Sequence, residues 1–195
     1  MFHLGLTGNM GSGKSTVAKI VELMGIPCYN SDKRAKILMS ESNEIHQKLI
    51  EVFGSDTFMH GLLNTTHLST IVFNNEAKLK KLNAIIHPEV KKDYFAWAAK
   101  QSSEIVLKES ALIYETGIEN ELNAVIVVHA PVATLLDRVR KRDGFATVDI
   151  KARLNKQIPQ EEKIKKANYL IDNSGETALI PQINSIINKI RKELI

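Results

Sequence analysis

The 195-residue chain has one cysteine, Cys28, so no disulfide can close within it and a reducing cytoplasm is the expected setting. Its apolar stretches, such as Ala124 to Val128, fall far short of the roughly 18–20 residues that a membrane-spanning helix needs. The chain opens without the basic region and apolar run of an export signal and passes at once into Phe2-His3-Leu4-Gly5-Leu6-Thr7. Internal repeats and low-complexity linkers are missing, so excursions read as insertions in one domain. Clustered charge is missing too. The net charge of +4 and pI near 9.1 favour an anionic partner, yet the lysines are spread out, with acidic residues between them. Lys78, Lys80 and Lys81 fall on one predicted helix and Lys163, Lys165 and Lys166 on another, where solvated helix faces account for them. A nucleic-acid binder gathers basic residues and aromatics on one face. Here a small phosphorylated ligand explains the excess charge as well as DNA or RNA would, and neither a nucleic acid nor a membrane is expected as partner.

What is present is the composition of an ordinary globular protein, 44% hydrophobic and 25% charged. Phe2 to Thr7 reads as a buried strand before a glycine-rich turn. From Lys14 the spacing of Val17, Ile20, Val21 and Met24 predicts a helix that Gly25 stops. Ile26-Pro27-Cys28-Tyr29 is a second strand, ending at Asn30-Ser31-Asp32, and the three elements make a βαβ unit. Residues 33–101 read as mainly helical, with breaks at Phe53-Gly54-Ser55-Asp56, at His60-Gly61 and at His87-Pro88, where proline disfavours helix in the residue before it. Strands return at 104–109 and 124–128. A charged helix over 132–142, a helix over 149–157 that stops before Pro159, a short strand at 169–171 and an amphipathic helix from Thr177 complete the reading. The expected fold is therefore α/β, a parallel sheet flanked by helices and interrupted by a helical insertion.

Gly8-Asn9-Met10-Gly11-Ser12-Gly13-Lys14-Ser15 matches Gly-x-x-x-x-Gly-Lys-Ser between a predicted strand and a predicted helix, the setting that confirms a phosphate-binding P-loop. Gly8, Gly11 and Gly13 lack a Cβ, so backbone N–H groups, that of Ser12 included, can close on phosphate oxygens. The helix N-terminus adds favourable potential for an anion. Lys14 reaches the β- and γ-phosphates in such loops, and Ser15 ligates magnesium. Thr16 supplies a contact to the α-phosphate. The expected ligands are a nucleoside triphosphate and Mg2+.

The loop alone leaves three classes open. A GTPase should carry Asn-Lys-x-Asp, which is missing. A remodelling ATPase should end a strand on an acidic residue, and the strand from Ile105 does end on Glu109. A kinase needs an acceptor site and a cover against water. Asp32 follows the second strand at its carboxyl end, where α/β sheets collect ligands, and is a candidate general base, with helix N-capping as the alternative. Arg138 and Arg142 are one helical turn apart and form a candidate phosphate clamp, with a solvated basic face as the alternative.

Taken together, the motifs resemble the dephospho-coenzyme A kinase family over nearly the whole chain. They are Gly5-Leu6-Thr7-Gly8 leading into Gly11 to Thr16, Asp32, Phe53-Gly54, Gly61, Leu68 with Ile71-Val72-Phe73, Ile86-His87-Pro88, Glu115, Arg138 with Arg142-Asp143, Gln157, and Ile171-Asp172-Asn173-Ser174-Gly175. The resemblance implies ATP-dependent phosphorylation of the ribose 3′-hydroxyl of dephospho-coenzyme A, the last step of coenzyme A synthesis. It implies a nucleotide-binding core over 1–32 and 102–195, a short helical lid within about 137–158, and an acceptor-binding insertion over 33–101. It gives Asp32 the part of general base, Lys14, Arg138 and Arg142 a catalytic part, Asn173 a place at the nucleotide, and His87 a place at the acceptor. Related nucleoside or nucleotide kinases and a non-catalytic ATP-binding regulator are the alternatives. Three departures stand out. Asn30 replaces a usual aspartate, Asn64-Thr65 replace Asp-Arg, and Glu109-Ser110-Ala111 replace Asp-x-Pro, so that Glu109 becomes the candidate metal carboxylate with Ser15.

Overall fold

Short apolar strands buried on both faces build the central layer. The computed structural model describes residues 1–73, 75–144 and 146–195, without the Phe73 side chain. Five parallel strands, β1 (Phe2–Thr7), β2 (Cys28–Asn30), β5 (Ile105–Glu109), β6 (Ala124–His129) and β7 (Tyr169–Asp172), lie in the order β2-β5-β1-β6-β7. Leu4, Leu6, Ile105, Leu107, Ile126 and Val128 share one cluster with Val17 and Val21 of α1 (Lys14–Leu23) and with Ile183, Ile187 and Ile190 of α10 (Leu179–Glu193). None of these is more than 2% exposed, and each such side chain contributes about 1.5–3 kcal/mol on burial. Val125 and Val127, the alternate residues of β6, join Ile113 and Tyr114 of α6 (Ile113–Thr116) and Ile118 in a second cluster. Period two thus divides one strand between two cores.

The chain divides into two compact units, Met1–Asn30 with Gln101–Ile195, and Ser31–Lys100. The first holds the five-stranded sheet, α1, α6, α7 (Val132–Asp143), α8 (Thr147–Leu154), α9 (Gln160–Lys166) and α10. The helix expected over 149–157 is α8, which starts two residues earlier and stops three earlier.

The second unit contains α2 (Ser31–Glu41), α3 (Asn43–Phe53), α4 (Thr65–Phe73), α5 (Glu76–Ala98) and a small antiparallel pair, β3 (Phe58–Met59) and β4 (Leu62–Leu63). The break at Gly54 is real and ends α3 with a positive φ of 90°. The break at His60-Gly61 is the turn of the β3–β4 hairpin, a sheet that helical periodicity did not suggest. The break expected at His87-Pro88 does not occur, because α5 runs through Pro88. Ile86, Val90, Tyr94 and Ala98, each four residues from the last, are all buried on one face. That continuous stripe outweighs the hydrogen bond that proline removes. Asn75 caps the helix by accepting from Lys78 N–H at 3.0 Å. Arg34 of α2 grips Asp93 of α5 through Nε at 2.9 Å and Nη2 at 2.6 Å, a two-pronged pair that fixes one helix on the other.

Candidate active site

β1 delivers its carboxyl end to Gly8 and α1 begins at Lys14, so the loop between them wraps the N-terminus of a helix. Its shape is held from several sides. Ser12 N–H donates to Asn9 O at 3.0 Å, and the N–H groups of Thr16 and Val17 donate to Gly13 O at 3.0 and 3.2 Å. Gly13 has φ +93°, the left-handed region that favours glycine. A Cβ there would lie 2.1 Å from Asn173 Nδ2. That amide donates to Ser12 O at 2.7 Å, while Asn173 N–H donates to His129 O at 2.9 Å. The end of β7 therefore braces the loop. Lys14 Nζ folds over the loop and donates to Gly8 O at 2.9 Å and Asn9 O at 3.3 Å. Thr7 Oγ1, Asn9 Oδ1 and Ser12 Oγ are buried here with no hydrogen-bond partner among the described residues. Ser15 and Thr16 are exposed on the first turn of α1.

α7 packs against the tip of the loop. A Cβ on Gly11 would stand 2.7 Å from Leu135 O and 2.9 Å from Val139 Cγ2. Arg138 lies between these two positions, half-buried, with Nη1 sequestered from solvent and without a partner among the described residues. Arg142, one turn later, is different. It is largely exposed and forks onto Asp143, Nε to Oδ1 and Nη2 to Oδ2, both at 2.7 Å. The Arg142 hydrogen bond holds the Asp143 carboxyl below its ordinary range. Of the two predicted clamp arginines, the structure therefore brings Arg138 to the loop's packing partner and engages Arg142 with its neighbour.

Two of the three departures from the family pattern meet. The β2–β5 register sets Asn30 opposite Glu109, which in turn lies beside Leu6 of β1. Asn30 Nδ2 donates to Glu109 Oε2 at 2.6 Å. An amide here replaces what would be carboxylate facing carboxylate, and it orients the remaining acid. Among the described residues, no group of three or more His, Cys, Asp or Glu is arranged to hold a metal. The third departure has a structural part, since Asn64 Oδ1 accepts from His67 N–H at 3.1 Å and so caps α4.

Asp32 lies in the second unit, exposed in the first turn of α2 and two residues beyond the end of β2. A carboxylate there meets the positive end of the helix dipole. His87, also in the second unit, is half-buried on α5, and burial lowers its pKa, so it is neutral at pH 7. Cys28 is only partly buried; its thiol donates to Ile26 O at 3.3 Å and Ala18 O at 3.4 Å, and burial followed by Glu22 and Glu109 pushes its pKa up to about 12.

Lys163 corrects a sequence expectation. It was grouped with Lys165 and Lys166 on a solvated face, but its side chain has 0% exposure. It falls at helical spacing with Ile164 and Ala167, which pack against the second apolar cluster. That spacing was the available signal for an inward position. Gln157 and Asn9 also touch the loop region in ways that residue type alone did not disclose, as Met10 N–H donates to Gln157 Oε1 at 2.9 Å and Asn9 Nδ2 to Ile158 O at 3.3 Å.

A family model described as dephospho-CoA kinase matches residues 2–178. A dephospho-CoA kinase from Bacteroides fragilis is 36% identical over 185 residues, covering 94% of this chain and 90% of that protein. A crystal structure from Thermus thermophilus aligns with TM-score 0.85 at 30% identity, covering 100% of this chain and 98% of the other. A dephospho-CoA kinase from Campylobacter jejuni aligns with TM-score 0.72 at 27% identity, over 99% and 98% of the two chains.

Proposed function

Because the chain belongs to the dephospho-CoA kinase family, which phosphorylates dephospho-CoA to CoA with ATP, we propose how its own residues divide that reaction. The observation that carries the assignment is the braced loop, with Asn173 holding Ser12 O and with α7, the helix that carries Arg138, packed against Gly11. The loop from Gly8 to Ser15 receives the β- and γ-phosphates through its N–H groups. Lys14 exchanges the carbonyls of Gly8 and Asn9 for phosphate oxygens, and Thr16 takes the α-phosphate. Arg138 supplies positive charge to the γ-phosphoryl group as charge develops on its oxygens. Arg142 joins it once its fork leaves Asp143, in a lid that spans about 137–158; Phe145 of that span lies outside the described residues.

The acceptor ribose 3′-oxygen attacks the γ-phosphorus in line, its bond to phosphorus forms, and the bond from that phosphorus to the ADP oxygen breaks. Asp32 takes the proton of the attacking hydroxyl. The helical unit, residues 31–100, holds dephospho-CoA, with His87 contributing as a neutral imidazole. The family's conserved reaction and the resemblance support these roles.

The donor set fits magnesium. Ser15 offers one hydroxyl and Glu109 one oriented carboxylate, and an ion that keeps water and phosphate oxygens as its remaining ligands needs no more from the protein. When bound, Mg2+ neutralises phosphate charge. Among the described residues no helix is long and apolar enough to cross a membrane; the cytoplasmic setting proposed for the enzyme is supported by its single cysteine.

Offering dephospho-CoA, adenosine and AMP with ATP tests the acceptor assignment, with phosphate transfer expected to dephospho-CoA. Asp32→Asn should lower kcat at least about a hundredfold while ATP affinity changes little. A variant that keeps most of its turnover removes Asp32 from the role of base.

A further inference from the structure

Segment 157–158 follows α8 and carries the only two bonds described from the tip of the phosphate loop to this part of the chain. Met10 N–H donates to Gln157 Oε1 at 2.9 Å and Asn9 Nδ2 donates to Ile158 O at 3.3 Å. The segment is itself held from behind. Ile158 N–H donates to Glu115 Oε1 at 2.9 Å. The same oxygen takes Lys163 Nζ at 2.8 Å, and Lys163 Nζ also donates to Ala111 O at 2.9 Å. Glu115 is 16% exposed and Lys163 not at all. The pair therefore lies in an environment where each charge needs the other. Burial pushes the Lys163 pKa down and the Glu115 carboxylate pulls it back up.

These bonds join four pieces of chain that are far apart in sequence: the loop tip at 9–10, the turn after β5 at 111, α6 at 115, and the junction of α8 and α9 at 157–163. An ion pair buried this deeply contributes little net stability, since apolar residues of similar volume fill such a space as well. What the pair does provide is a fixed acceptor for Ile158 N–H, and through residues 157–158 a fixed position for Asn9 and Met10. A phosphate loop binds strongly when its N–H groups are already aimed, because reorganising them subtracts from the binding energy.

We propose that Glu115 and Lys163 are positioning residues for the nucleotide: Glu115, charge-balanced by Lys163, anchors segment 157–158 and so presets the tip of the phosphate loop and the root of the α7–α8 segment. Both act through segment 157–158 and are assigned no contact with the triphosphate. The inference rests on the assignment of the loop as the ATP site.

The test separates charge from anchoring. Glu115→Gln with Lys163→Met removes both charges but leaves an amide oxygen for Ile158 N–H. Glu115→Leu with Lys163→Met removes the charges and the acceptor together. Glu115→Asp keeps the charge for Lys163 but withdraws the oxygen from Ile158 by one methylene. Melting midpoints are recorded first, and KM for each substrate, kcat and direct ATP affinity are measured well below the lowest of them. The Gln/Met pair should keep KM for ATP within about threefold of the parent, while the Leu/Met pair and Glu115→Asp raise it at least about tenfold. KM for dephospho-CoA should stay unchanged throughout. Parent-like ATP affinity in the Leu/Met pair overturns the proposal, as does equal impairment of the Gln/Met and Leu/Met pairs. If the Leu/Met pair does not fold, parent-like ATP affinity in Glu115→Asp overturns it alone. Lys14→Ala, run alongside, separates the two readings: if it too binds ATP normally, the loop assignment has failed, and if it alone is impaired, only the anchoring has.

Discussion

Gly13 and Asn173 form a matched pair in which the absence of one side chain makes room for the other. Gly13→Ala would place a methyl group where Asn173 Nδ2 now lies and would hold alanine at φ +93°. The left-handed backbone costs about 1–2 kcal/mol, and releasing Ser12 O from Asn173 costs about 1 kcal/mol more. For a chain of this size that is a fall of about 4–12 °C in the melting midpoint. Because the displaced group braces the phosphate loop, KM for ATP should also rise, by about tenfold or more. Thermal melts and steady-state kinetics on the same preparation check both parts. The loop was legible in the sequence because its glycines, Lys14 and Ser15 stand at fixed spacing. The Asn173–Ser12 bond was not, since its partners are 161 positions apart and only folding brings β7 beside β1's loop. The same holds for Asn30 and Glu109. Each reads separately as a departure, and only strand register shows that one orients the other. Lys163 was misread because a lysine's ordinary preference for solvent carries no information about a carboxylate that waits 48 positions away.

At the scale of elements, α5 shows how tertiary packing overrides a local rule. Pro88 is exposed and has no N–H to give, so the helix loses a bond there. Pro88→Ala restores the donor on a helix that already continues through the position. It should raise stability by about 1–2 kcal/mol, after allowance for the larger freedom of the unfolded alanine chain. A urea titration with unchanged m-value and a higher midpoint is the expected outcome. A lower midpoint would mean that the proline shapes α5 for the contacts of Ile86 and Val90. The apolar strands of the sheet were readable as short unbroken apolar runs, and the amphipathic α10 because one helical period runs through it. The β3–β4 hairpin was not, for it has only two residues per strand, too few for any period to register. The edges of α8 moved by two or three residues, where Pro159 marks the start of α9 and not the end of the helix before it.

For the molecule as a whole, strand order decides where stability concentrates. β1 has a neighbour on each side, β5 and β6, and its last four residues are buried. β2 and β7 form the edges of the sheet and each has one neighbour. Amide hydrogen exchange should therefore be slowest in β1 and in the inner strands beside it, and faster in β2 and β7. Equal protection at edge and centre would show that the sheet opens only by global unfolding. The division of the chain at 30–31 and 100–101 also sets a schedule. β1 ends at Thr7, but its first hydrogen-bonded partner along the chain, β5, begins at Ile105. At about 5–20 residues per second, a ribosome needs about 5–20 s to produce that partner. Residues 31–100 are synthesised in the interval, and within them Arg34 of α2 finds Asp93 of α5 across 59 positions. The apolar strand that carries the phosphate loop is thus the first part of the sheet to be born and must wait, unpaired, for the insertion to be completed before it has anything to pair with.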